Sequence, residues 1–213
     1  MSDSVDLCTL IEQFGSEERC REYLEALRWT DGIECPRCAS SKISKIAKRN
    51  QFDCDGCRYQ FSVTAGTAFN NSHLPLWKWF LATYLLCESR KGMSANQIKR
   101  SLGVSYKTAW YLCHRIRSAM TESGISGRKH ETTKHKDAIY ADGLVSTNTI
   151  ESAVSLLRNG IGSWHKVSAK HLPAYLDEMT FRFNNRNNPF LFRDTIMRLL
   201  EAPVLEYKKL TAA

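Results

Sequence analysis

The sequence predicts an α+β fold that is mostly α: a small β module, a helix-turn-helix, and a helical C-terminal part. Three observations predict it. Two Cys-x-x-Cys pairs bracket short alternating segments. Two helical stripes meet across a glycine turn. Apolar residues then recur at helical spacing near the C-terminus. The expected organisation is an N-terminal helical segment (1–32), a zinc ribbon (33–63), a helix-turn-helix region (74–120), a linker (121–147) and a final helical unit (148–201).

The β module rests on Cys35-Pro-Arg-Cys38 and, after fifteen residues, Cys54-Asp-Gly-Cys57. Each pair places two thiolates on one tight turn, and the gap suits a hairpin that brings them around one tetrahedral Zn²⁺. Lys42–Lys48, Gln51–Cys54 and Arg58–Val63 read as its strands. The Asp55-Gly56 step is expected to supply the positive φ of the second turn. This spacing favours metal over two disulfides or four buried thiols. The zinc is structural, because four thiolates leave no open site for water. The remaining cysteines, Cys8, Cys20, Cys87 and Cys113, sit in apolar helical contexts and read as buried thiols.

Charge is uneven. The chain carries a formal +8, and the acidic residues 1–34 contrast with residues 90–136, where eleven basic side chains face two acidic ones. Such a concentration suits a polyanion, most simply nucleic acid. No apolar run approaches the roughly 20 residues of a membrane span. The acidic Met-Ser-Asp-Ser-Val-Asp start lacks the marks of a signal peptide. A reducing, cytoplasmic and nucleoid-associated setting is expected, with no membrane partner.

Residues 5–29 read as two short helices, the second starting after Ser16. After the ribbon, Pro75 opens a strongly apolar helix, Leu76 to Ser89. Ser94 caps a helix that Gly103 stops, and Ser105 caps another, from Tyr106 to about Met120. Ile98, Leu102, Val104, Ala109, Leu112 and Ile116 are spaced to pack these two helices together, the helix-turn-helix pattern. Lys99 and Arg100 on the first helix, and Lys107, Thr108, Tyr111, His114 and Arg115 on the outer side of the second, are the expected DNA contacts.

Residues 121–147 lack helical periodicity. Ile139-Tyr140 and Leu144-Val145 suit one strand, and the spacing of His130, His135 and Asp137 matches no metal motif. A helix opened by Thr147-Asn-Thr-Ile-Glu151 and running to Asn159, stopped by Gly160, places Glu151 and Arg158 on one face. Ser168 is positioned to cap the next helix, with Pro173 delaying its regular start, and Phe190 to Leu200 makes the last.

In this order the motifs resemble the zinc-ribbon DDE transposases of bacterial insertion sequences, the ISXO-like group. The resemblance covers the ribbon, Phe61-Ser-Val-Thr-Ala-Gly-Thr67, Pro75-Leu-Trp-Lys-Trp79 and Leu102–Arg117. It resumes at Lys129-His-Glu-Thr132, Thr147-Asn-Thr-Ile-Glu-Ser152, Val167–Leu172, Tyr175-Leu-Asp-Glu178 and Phe181-Arg-Phe-Asn184. It implies an insertion-sequence transposase by descent, binding the double-stranded inverted repeats at the element's ends. It also implies an RNase H-like catalytic domain with three acids holding two Mg²⁺. Glu151 matches the third acid and Arg158 the basic residue that follows it. The segments bearing the two catalytic Asp have no counterpart here, since Ser126-Gly127 leads almost directly to the block before Glu151. The final helical unit is then a remnant of that domain, Mg²⁺ is not expected to be held, and the chain alone is expected to lack strand transfer. The alternatives are a DNA-binding zinc protein that competes with or joins full-length transposase or a second copy of itself, and a product that folds only up to about residue 127.

Overall fold

The computed structural model describes residues 5–121, 141–142, 145–146, 154–155, 158–162, 164 and 167–212. Glu151 and the His130, His135 and Asp137 group lie outside the described residues.

The first helix, α1 (Leu7–Phe14), begins at Asp6, whose carboxylate accepts the Thr9 amide at 2.8 Å. The second, α2 (Glu17–Arg28), is capped by Ser16, whose hydroxyl accepts the Arg19 amide at 3.3 Å. Glu17 and Glu18 in its first turn and Arg28 in its last complement the helix dipole. Leu10, Phe14, Cys20 and Leu24 turn inward. Cys8 departs from the expectation of a buried thiol, for it lies on the exposed face of α1, while Cys20, Cys87 and Cys113 are buried.

The ribbon is a three-stranded antiparallel sheet in the order β1 (Ile43–Ile46), β2 (Gln51–Cys54), β3 (Gln60–Phe61). Ile43 pairs with Cys54 and Phe52 with Phe61. A 3-10 turn at Ala47–Arg49 and left-handed Asn50 (φ 51°) reverse the chain between β1 and β2. Phe52, Phe61 and Ala65 form a small core with the buried Cys35 and Cys54. Trp29, at the end of α2, meets Phe52 edge-on at 5.1 Å. The neighbouring Arg28 guanidinium donates to the Val63 carbonyl at 2.5 Å. These contacts seat the ribbon on the helices.

The helix α3 (Leu76–Glu88) follows Pro75, which occupies the N-cap rather than the first turn. It supports α4 (Ala95–Leu102) and α5 (Tyr106–Ala119), which pack on one another and on α3. The α4 start is a capping box: the Ser94 hydroxyl accepts the Gln97 amide, and the Gln97 side chain accepts the Ser94 amide at 2.8 Å. Gly103 is left-handed (φ 60°, ψ 45°), a conformation that a Cβ disfavours. Ser105 then caps α5 through the Thr108 amide at 3.1 Å.

In the expected linker, β4 (Ala141–Asp142) and β5 (Val145–Ser146) pair antiparallel, a hairpin where one strand was expected. Residues 158–162 are helical, so Gly160 does not end this segment as expected; an added Cβ there would meet the Trp164 ring at 2.9 Å. The helix α6 (Leu172–Asn184) has Pro173 in its first turn and His171 at its cap; Ser168 instead accepts the His171 and Leu172 amides in the preceding turn. The helix α7 (Leu191–Glu201) ends before Pro203. A short helix absent from the sequence reading, α8 (Tyr207–Thr211), follows.

The C-terminal helices are not an appendage. Phe181 of α6 and Phe192, Ile196 and Leu199 of α7 share one core with Phe14, Phe80, Ile98 and Leu112. Phe80 meets Phe14 at 5.0 Å and Phe192 at 5.9 Å, joining α3, α1 and α7. The Ala68 amide donates to the Leu199 carbonyl at 3.0 Å, tying the post-ribbon turn to α7. α6 and α7 thus pack on the N-terminal helices through one shared core.

Candidate metal centre and nucleic-acid interface

The two Cys-x-x-Cys turns are built alike. Ala39 donates to the Cys35 carbonyl at 2.9 Å, and Arg58 to the Cys54 carbonyl at 2.7 Å. The Cys35 amide donates to the Ser40 carbonyl and the Cys54 amide to the Tyr59 carbonyl. The left-handed residue is the one after each pair, Ala39 (φ 53°) and Arg58 (φ 55°), not the expected Asp55-Gly56 step. Gly56 matters for space instead: a Cβ there would crowd Ser40 Oγ at 3.3 Å.

These turns aim four sulfurs at one point. All lie within 4.8 Å of one another, with Cys35–Cys57 at 3.7 Å and Cys38–Cys54 at 3.5 Å. A tetrahedron with Zn–S bonds of about 2.3 Å has edges of about 3.8 Å. Disulfide sulfurs sit at about 2.05 Å, so the spacing fits shared metal ligands. Cys35, Cys38, Cys54 and Cys57 would hold a Zn²⁺ that crosslinks the two turns. The other buried thiols differ in kind: burial pushes Cys87 up to about 12 and Cys113 up to about 11, which keeps them protonated and inert.

The helix-turn-helix presents fewer side chains than its periodicity suggested. Lys99, Arg100 and Lys107 are exposed and Thr108 is half-buried. His114 and Arg115 are each 2% exposed, contrary to the expected outward positions. The cause is packing: α6 and the turn before it cover His114, while α3 and the turn at Asn70 cover Arg115. Arg115 runs across the Trp79 ring at 5.0 Å and donates to the Asn70 carbonyl at 2.5 Å. His114 sits edge-on to Trp110 at 4.5 Å and beside His171 at 4.8 Å. Burial first, then the charge of Arg117 and the neighbouring His171, lower its pKa to about 3. Tyr111 is also engaged: its hydroxyl donates to the Leu205 carbonyl, and its ring meets Tyr207 at 5.4 Å. The Lys107 ammonium lies 4.7 Å from the centre of the same Tyr207 ring. The C-terminal segment thus lies along part of the face expected to read DNA.

Arg117, counted in sequence as part of the basic window, is fully buried. Its Nε donates to Glu178 Oε2 at 2.5 Å, and Arg182 reaches Glu178 Oε1 at 3.1 Å. Arg117 also donates to the Met93 carbonyl at 3.1 Å and stacks on Tyr175 at 3.8 Å. This pair locks α5 to α6. Nothing in a linear charge count separates a paired interior arginine from a solvent-facing one. Arg158 is exposed on its helical segment. Its relation to Glu151, outside the described residues, is a matter of sequence spacing alone.

Residues 15–60 match the transposase zinc-ribbon domain, and residues 119–184 match the ISXO2-like transposase domain. Two separate stretches of the chain are thus similar to transposase domains. A relative in Halobacterium salinarum, described as an uncharacterized protein in transposable element ISH50, is 26% identical over 181 residues. The match takes in 75% of this chain and spans 61% of that relative's length. No solved structure matches. No helix among the described residues is long and apolar enough to cross a membrane.

Proposed function

We propose that this chain is the DNA-binding part of an insertion-sequence transposase, with a structural zinc and without a complete catalytic acid set. The observation that carries the reading is the four-sulfur cluster followed in sequence by a helix-turn-helix whose exposed cations are Lys99, Arg100 and Lys107. Helix-turn-helix proteins read the major groove with the first residues of the second helix, and Tyr106, Lys107 and Thr108 occupy that turn. Lysines and arginines there neutralise phosphates, the sequence-independent share of affinity. His114 and Arg115 support the fold rather than the contact.

The catalytic part of the reading rests on sequence. Two magnesium ions need several carboxylates, and only Glu151 aligns with the resembled acids. The partner is the duplex end of an insertion element, bound by one copy, a pair of copies, or a mixture with full-length transposase.

The test is fluorescence anisotropy of the purified chain on duplexes carrying the element's terminal repeats, against scrambled duplexes at several salt concentrations. Preferential binding with a steep salt slope supports the reading; equal affinity for both duplexes overturns the end-specific part. A strand-transfer assay with Mg²⁺ or Mn²⁺ tests the rest: robust joining by this chain alone would overturn the incomplete-acid reading.

A further inference from the structure

The start of α5 is the part of the helix-turn-helix that would enter a groove, and another segment of the same chain lies on it. Lys107, Trp110 and Tyr111 stand three and four residues apart and share one face of the helix. Tyr207 of α8 faces all three. Its ring centre lies 4.7 Å from the Lys107 ammonium, 5.4 Å from the Tyr111 ring and 6.3 Å from the Trp110 ring. The Tyr111 hydroxyl donates to the Leu205 carbonyl, two residues before Tyr207. Size decides whether this arrangement can read a duplex. The major groove is about 12 Å wide, and a helix with its side chains is about 10–12 Å across. The groove admits α5 alone, and α5 with a second segment laid across its outer face is too broad.

The segment is lightly held. No residue of 203–212 is buried, and none belongs to the core that Leu199 of α7 shares with the other helices. Residues 203–206, between α7 and α8, form no regular structure. A helix of five residues is far below the length that stands alone in water. What keeps the segment in place is a cation on a ring, two ring pairs and one hydrogen bond, each modest at a partly exposed site. Contacts of this size close a surface and still yield to a polyanion that gains several phosphate contacts.

We propose that residues 203–211 are an autoinhibitory strap over the reading face of α5, which duplex DNA must displace before α5 can enter the groove. The proposal rests on the DNA-binding reading above and adds to it a closed and an open state. The affinity of such a chain is lowered by the fraction that is open.

Anisotropy titrations of the terminal-repeat duplex at one salt concentration decide it, on the full chain, on a chain ending at Ala202, and on Tyr207→Ala. Removing residues 203–213 takes away two lysines and one glutamate. On charge alone, that net loss of a positive charge weakens duplex binding. The strap gives the opposite sign: the shortened chain should bind about tenfold tighter, as expected when the full chain is open about one-tenth of the time. Tyr207→Ala keeps every cation and should gain severalfold. In the full chain, the amide NMR signals of Tyr207 to Thr211 should move to random-coil positions as duplex is added. Unchanged or weaker binding by either folded variant overturns the proposal and leaves the DNA-binding reading intact; weaker binding by the shortened chain would assign Lys208 and Lys209 to the DNA contact instead. Duplex binding by the full chain that leaves those amide signals in place overturns it as well. If the shortened chain does not fold, Tyr207→Ala and the amide signals decide. Absence of duplex binding by the full chain and both variants overturns the strap and the DNA-binding reading together.

Discussion

The ribbon and the helical bundle differ in how far apart in sequence their stabilising contacts lie. In the ribbon, the buried set is small, and two of its members, Cys35 and Cys54, are themselves metal-ligand candidates. A β module of about 30 residues cannot bury enough apolar area to fold alone. The bundle instead draws residues from Leu10 to Leu199 into one core and adds the buried Arg117–Glu178–Arg182 group. One region depends on a local crosslink. The other depends on helices from both ends of the chain meeting. The two regions should therefore respond to different insults.

Metal removal should break the comparison most sharply. Structural zinc contributes on the order of 10 kcal/mol to folding in zinc-finger peptides near neutral pH. Chelation or Cys54→Ser should unfold residues 33–63 while the helical signal of the bundle persists. Circular dichroism with amide NMR of the ribbon reads this; loss of both regions together would show that the ribbon is part of the bundle's cooperative unit.

Next in size is Glu178→Ala, which leaves Arg117 buried and unpaired. Removing one partner of such a pair costs about 3–5 kcal/mol. The bundle's thermal midpoint should fall by many degrees with zinc content unchanged, as calorimetry and metal analysis would record. Glu178→Gln, which keeps one hydrogen-bonding oxygen, should cost less.

The His114 ring sharpens the same contrast through pH. Its folded pKa lies near 3, below its unfolded value of about 6.5. Between those values the unfolded chain binds the proton and the folded chain does not, so stability is present above about 6.5 and falls as pH drops towards 3. The slope should be on the order of 1 kcal/mol per pH unit. Urea titrations from pH 7 to 5 on the parent and on His114→Phe would check it, with a shallower dependence expected in the variant.

The smallest effects concern the DNA face. Lys107→Ala should weaken duplex binding and reduce the salt slope by about 1. Tyr207→Ala should act the other way. It releases Lys107 from a ring contact worth about 0.5–1 kcal/mol at an exposed site, so duplex affinity should rise severalfold. Anisotropy titrations at matched salt measure both.

Much of this was legible in the chain because it is local. Cysteine spacing specifies two turns, and the observed sulfur positions follow from it. Ser16, Ser94 and Ser105 cap their helices because a hydroxyl three residues before an orphan amide needs only neighbouring backbone. Gly103 sits in the left-handed turn for the same reason. Where the reading departed from the structure, a distant partner intervened. His114 and Arg115 have the spacing of an outward face, yet α6 and the turn before it cover the first and Trp79 of α3 covers the second. Gly160 has the signature of a helix stop, yet the helical conformation runs through it, packed beneath Trp164. The turn residue of the second cysteine pair moved from Gly56 to Arg58 because the thiolate loop, repeated from the first pair, demands its left-handed residue one step after the ligand.

By itself, then, the sequence determined the ribbon, the capped helix-turn-helix and the resemblance to transposase domains, since each depends on residues within a few turns of one another. Only the tertiary structure decided which basic residues remain available to a polyanion, that Arg117 is spent on Glu178, and that an aromatic cluster forms around His114. Those outcomes depend on segments some 60 residues apart meeting across α5, and chain order does not encode which face a distant helix will cover.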